Sequence, residues 1–137
     1  MEKAIIDHIR SLEGYVKRSG ARLVRDALPE RVQGRVCGDL ITLRAGLTPE
    51  QELPTLVHEL AHWLAHRGAC PGIHCTVFEY EAEAVEALVM ARLGLRRPAA
   101  DLADSAFDDP TDGLLSASVA RVILASSRIC GALGLAT

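Results

Sequence analysis

Thr55-Leu56-Val57-His58-Glu59-Leu60-Ala61-His62-Trp63-Leu64-Ala65-His66 is the stretch from which the rest of the chain can be placed. It reads as a helix and contains the pattern HExxH at residues 58–62. Positions i and i+4 share one helix face, so the imidazoles of His58 and His62 can grip a single metal ion. Neutral imidazole is a good Zn²⁺ ligand. Glu59 follows the first histidine and can reach water at the metal as a general base. Leu56, Val57, Leu60, Ala61, Trp63 and Leu64 surround the three polar residues with apolar side chains. Polar groups buried in such a setting need partners, and a metal supplies one.

Two histidines leave a catalytic zinc short of a protein ligand. The next segment, Glu79-Tyr80-Glu81-Ala82-Glu83-Ala84-Val85-Glu86-Ala87-Leu88-Val89-Met90-Ala91, has no Gly or Pro and reads as a second helix. On a helical wheel Glu79, Glu83 and Glu86 share a polar face. Glu81 falls on the other side, in line with Ala84, Val85, Leu88 and Leu95. A carboxylate within an apolar stripe is costly unless something cationic meets it. Glu81 is therefore the expected third ligand, and a buried ion pair with an arginine is the alternative. Glu79 and Glu83 are the fallback ligands; without a metal they are a solvated acidic face.

His66 continues the spacing of His58 and His62, but eight residues of helix rise about 12 Å. Ligands of one zinc lie only about 2 Å from the ion, so His66 is not expected to join it. Lining the cleft, assisting a transition state, or a surface or helix-terminal role remain open for it. Cys70-Pro71-Gly72-Ile73-His74-Cys75 could hold a second, structural zinc. It lacks the usual CxxC pair and has no matching second pair, and Cys37 and Cys130 are isolated, so ordinary reduced thiols are expected. His66, Tyr80 and His74 are the candidates for stabilising an oxyanion.

The 137 residues suffice for one core, and a single domain over 1–137 is expected. Aromatic residues make up only 4 %, so that core should be built from Ala, Leu and Val. A net charge of −3 gives no electrostatic footprint for nucleic acid. Arg18, Arg22, Arg25, Arg31 and Arg35 read as a modest basic run on a solvated face. Met1-Glu2-Lys3-Ala4-Ile5-Ile6-Asp7 is charged from the outset and does not resemble a signal peptide. No apolar run approaches a membrane span. Four irregularly spaced cysteines then suggest reduced thiols in a cytoplasm.

The spacing of Ile5, Ile6, Ile9, Leu12 and Val16 predicts a helix over 2–18, ended by Gly20. Residues 32–44 read as a hairpin turning near Cys37-Gly38-Asp39. Thr48-Pro49-Glu50-Gln51 looks like a helix start with a capping box, although Pro54 should restart or kink that helix. The active helix then runs to about Arg67. The glutamate helix spans about 78–93 and stops at Gly94, with Pro98 beyond; Asp108-Asp109-Pro110 marks a break, and a last helix covers about 113–132. The result is an α+β domain with several helices on a short sheet or hairpin. Leu40 to Arg44 could pair with an extended substrate if it forms an edge strand.

Residues 55–66, followed by Glu79-Tyr80-Glu81-Ala82-Glu83-Ala84-Val85 and Leu93-Gly94-Leu95, resemble the ImmA/IrrE-type metallopeptidases. Within that group the chain is most similar to the peptidase-like domain of ArdC-type antirestriction proteins. The resemblance covers about residues 22–95, and the C-terminal helix loosely. Where ImmA/IrrE proteins usually read E-A-N, this chain has Glu81-Ala82-Glu83. The resemblance implies a zincin-like fold and a Zn²⁺ site made by His58, His62 and Glu81, with Glu59 catalytic. It also implies hydrolysis of a peptide bond in a protein substrate, with a helix-turn-helix transcriptional repressor as the type of target. The rival expectations are a non-proteolytic zinc-binding antirestriction or interaction module, and a purely structural metal site. Metal binding alone does not require Glu59, which favours hydrolysis over both.

Overall fold

A computed structural model of the chain describes residues 2–66, 76–95 and 116–135. Their elements are α1 (Glu2–Arg18), β1 (Arg22–Asp26), β2 (Gly34–Cys37), β3 (Leu40–Arg44), α2 (Pro49–Ala65), α3 (Thr76–Arg92) and α4 (Ser116–Ala132). This is an α+β arrangement of four helices and a three-stranded sheet among the described residues. The Cys70–Cys75 segment, Pro98 and the break at 108–110 lie outside them.

The hairpin forms where the turn residues place it. β2 runs antiparallel to β3, with Cys37 opposite Leu40 and Gly38 at φ 59° between them, a conformation glycine adopts without strain. The sheet also contains β1, which the arginine-rich sequence did not announce. It pairs parallel to β3, from Arg22 opposite Leu40 to Asp26 opposite Arg44. Arg25 on this strand is more than a solvated charge: its Nε donates to Glu52 of α2 at 3.0 Å and its Nη1 to Glu13 of α1 at 3.0 Å. The strand order is β1-β3-β2. β3 is thus the middle strand, and its Ile41, Thr42 and Leu43 are all buried. With both edges occupied it has none to offer a peptide, contrary to the expectation for Leu40–Arg44.

Helix α2 starts at the expected capping box: the Thr48 side chain accepts from the Gln51 amide, and the Gln51 side chain accepts from the Thr48 amide. Each bond satisfies an amide that the first helical turn would leave orphaned. The helix runs through Pro54 without restarting. Proline deprives the Glu50 carbonyl of its intrahelical donor, and Glu50 is exposed, so water can serve instead. The helix stops at Ala65, with His66 as its C-cap, two residues short of the expected Arg67.

This helix is the centre of the molecule. It packs against α1, α3, α4 and the β2–β3 hairpin. Leu53, Leu56, Val57, Leu60 and Ala61 are fully buried against Leu12 of α1, Ile41 and Leu43 of β3, Val85 and Val89 of α3, and Ile129 of α4. Trp63 Nε1 donates to Asp39 at 3.0 Å and fastens the hairpin turn to α2. Helix α3 packs against both α2 and α4, which also touch each other. Among the described residues no helix is long and apolar enough to cross a membrane.

Candidate metal centre

His58 and His62 stand one turn apart on α2 and face the first turn of α3. Glu79 meets both: its Oε2 lies 3.3 Å from His58 Nε2 and its Oε1 lies 2.9 Å from His62 Nε2. Ligand atoms of His58, His62 and Glu79 all fall within 4.8 Å of one another. Metal–ligand distances of about 2.0–2.1 Å give a tetrahedron with edges of about 3.3–3.4 Å. Two imidazole nitrogens and one carboxylate oxygen at this spacing are a donor set that fits zinc, with a coordination position to spare.

Glu81 is placed elsewhere. Arg121 of α4 grips its carboxylate, Nε to Oε1 at 2.8 Å and Nη2 to Oε2 at 2.8 Å. Ser118 donates to Oε2, and His66 Nε2 lies 2.7 Å from Oε1. The expectation that Glu81 completes the triad is therefore corrected: both of its oxygens are taken by an ion pair, the alternative for a carboxylate on an apolar stripe. Glu79 stands where Glu81 was expected. The polar face carrying Glu79 and Glu86 is not simply solvated, because it looks into the crevice against α2.

Each site histidine is also held by its second nitrogen. His58 Nδ1 lies 3.2 Å from Glu86 Oε1. His62 Nδ1 lies 2.8 Å from Nδ1 of His66. Such outer partners fix a ligand's ring orientation. His66 is stacked on Phe78, with ring centroids 4.1 Å apart and planes 18° from parallel. It is buried against Glu81 and is not among the three clustered ligand groups.

The electrostatics follow from this packing. Burial would lower the pKa of His58, but the hydrogen bonds to Glu79 and Glu86 outweigh it and hold the metal-free imidazole up to about 10. The same histidines drive Glu79 far below its ordinary range. Burial pushes His66 down, against the pull of Glu81, and so favours its neutral form. Glu59 is raised by burial, opposed by the charges of His58 and His62. A carboxylate shifted in that direction is a better proton acceptor.

Gly34 of β2 sets the position of Glu59. A methyl group at Gly34 would fall 2.8 Å from Glu59 Cγ and 3.0 Å from Thr55 Cγ2. The strand thus passes directly over the carboxylate, and only glycine leaves room.

Sequence reasoning missed Glu86, His66 and Arg121 as members of this network. The i, i+4 spacing of His62 and His66 was a usable signal for one of them. Arg121 had none, being 40 residues from Glu81. Comparison with protein-family models, curated proteins and solved structures finds no match for this chain.

Proposed function

We propose that this protein is a zinc-dependent metallopeptidase acting on a protein substrate, with His58, His62 and Glu79 as ligands and Glu59 as general base. The observation that carries this reading is the convergence of the three donors beside a buried carboxylate that none of them needs as a ligand. Zinc held there supplies a Lewis acid that polarises a carbonyl and acidifies water. Glu59 takes the proton from the attacking water and returns it to the departing amine. With Glu86 and His66 engaging their other ring nitrogens, His58 and His62 would hold the metal through Nε2.

The peptide would enter along β2. Among the described residues β2 pairs only with β3, and an extended peptide added to its outer edge would pass the Gly34–Glu59 contact. The resemblance to ImmA/IrrE-type proteins makes a helix-turn-helix repressor the substrate class to try.

Native mass spectrometry after zinc loading should find about one zinc per chain. Glu59→Gln should keep that zinc and lose hydrolysis of a repressor or peptide library by at least about 10²–10⁴-fold. Metal-free parent protein after loading would overturn the zinc site. Equal cleavage by parent and Glu59→Gln, or none by either across the library, would leave a zinc-binding module in place of a peptidase.

A further inference from the structure

A chain of contacts runs from the metal centre to the surface of α4. His62 Nε2 faces Glu79, and His62 Nδ1 faces His66 Nδ1 at 2.8 Å. His66 Nε2 faces Glu81 Oε1 at 2.7 Å, and Glu81 takes both arms of Arg121. The protons in this chain can be assigned. Glu81, paired with a guanidinium and accepting from Ser118, is an ionised acceptor. His66 must then carry hydrogen on Nε2 to donate to it. A His62 that ligates through Nε2 would be neutral and carry its hydrogen on Nδ1, which leaves His66 Nδ1 as the acceptor. Two Nδ1 atoms at 2.8 Å need one hydrogen between them, and it belongs to His62. With a metal bound, that leaves the Nε2 lone pair of His62 for the ion, in place of the Nε2–H that meets Glu79 in the metal-free site.

We infer that His66 is a positioning residue: clamped by Glu81 and Arg121 and stacked on Phe78, it fixes the tautomer and ring orientation in which His62 presents Nε2 to the metal. This rests on the zinc reading of His58, His62 and Glu79. Metal-ligating histidines are commonly oriented by a carboxylate or carbonyl; here a second imidazole is interposed, and the carboxylate acts through it. The relay joins three helices, since His62 and His66 belong to the end of α2, Phe78 and Glu81 to α3, and Ser118 and Arg121 to α4. Docking of α4 thereby reaches the metal ligand without touching it.

The test is zinc affinity, measured by chelator competition, together with ¹⁵N NMR of the imidazole rings. His66→Phe keeps an aromatic ring against Phe78 but removes both ring nitrogens. It should bind zinc about 10–100-fold more weakly, as loss of an outer partner does. His66→Gln retains an amide acceptor and donor and should recover part of that loss. NMR of the zinc-loaded parent should show His66 with hydrogen on Nε2 and a bare Nδ1. Circular dichroism and urea unfolding separate this from loss of fold. Zinc affinity of His66→Phe within twofold of the parent, or a His66 with hydrogen on Nδ1, overturns the positioning role while the zinc site stands. A parent protein that takes up no zinc overturns both.

Discussion

Arg121 holds Glu81 in a two-pronged pair, Nε to Oε1 and Nη2 to Oε2, both at 2.8 Å. The carboxylate is 1 % exposed in its side chain and the guanidinium 36 %, so the pair is buried at one end and open at the other. Removing the open partner strands a buried charge that Ser118 and His66 alone must satisfy. Arg121→Met should therefore destabilise the fold by about 3 kcal/mol, near the lower end for breaking a buried pair. Urea unfolding at neutral pH measures it. A change below about 0.5 kcal/mol, the scale of an ordinary surface substitution, would show that Arg121 is dispensable to Glu81.

The same pair makes stability sensitive to acid. Burial would raise the Glu81 pKa, but the hydrogen bonds from Arg121, Ser118 and His66 prevail and bring it down to about 2, from an ordinary 4.5. A carboxylate with a depressed folded pKa contributes stability that is complete above its unfolded value and lost as pH falls through the folded one. The stability gap between the parent and Glu81→Gln should thus be full above about pH 4.5 and shrink toward pH 2. A gap constant over that range would mean that the carboxylate is not ionised in the native state.

Glu79 and Glu83 share a face of α3, but only Glu79 stands with the histidines. Glu79→Gln should weaken zinc binding by more than the roughly 10–100-fold expected for loss of an outer partner. Glu83→Gln should leave it unchanged. The reverse ranking, read by chelator competition, would displace the ligand by one turn along α3.

Zinc has to compete with a proton at His58. In the metal-free protein the Glu79 and Glu86 bonds, working against burial, hold that imidazole up to about 10. Its pKa lies above the unfolded value, so the charged form stabilises the metal-free fold below about pH 6.5, and this is lost as pH rises through about 10. A metal ligand must be neutral, so binding at pH 7 should expel about one proton from His58. Calorimetry in buffers of different ionisation enthalpy counts the protons, and zinc affinity should rise with pH from 7 toward 10. Zinc uptake with no buffer-dependent heat would show that His58 is already neutral.

What the sequence made legible were the local features. The capping box at Thr48, the turn at Gly38 and the helix over Glu2–Arg18 depend on neighbours a few residues apart, and each formed where its residues placed it. His58 and His62 could be paired because i, i+4 spacing fixes a face, and Glu59 joined them through the HExxH pattern. The choice among the glutamates failed for a physical reason. A helical wheel supposes one buried and one solvated side, whereas α3 packs against both α2 and α4 and presents carboxylates to each. Glu81 was rightly read as a buried charge that needs a cation, but the cation is an arginine 40 residues away and not a metal. β1 escaped notice because its pairing with β3 is parallel and its Arg22 and Arg25 read as surface charge.

The contact between Gly34 and Glu59 yields the sharpest test of how the sheet serves the site. A Cβ at Gly34 would stand 2.8 Å from Glu59 Cγ, closer than such carbons approach, and 3.0 Å from Thr55 Cγ2. Either β2 lifts away from α2 or the Glu59 side chain swings aside. Overpacking of this kind costs about 1–3 kcal/mol, which urea unfolding of Gly34→Ala should reveal. Zinc content should be preserved, because the atoms nearest the added methyl group belong to Glu59 and Thr55 and not to His58, His62 or Glu79. Hydrolysis should fall further than stability alone explains, since a general base displaced by an ångström loses its reach to the water. Crystallography of Gly34→Ala would distinguish the two movements. Full activity together with an unmoved Glu59 would mean that the close approach of β2 has no part in holding the base.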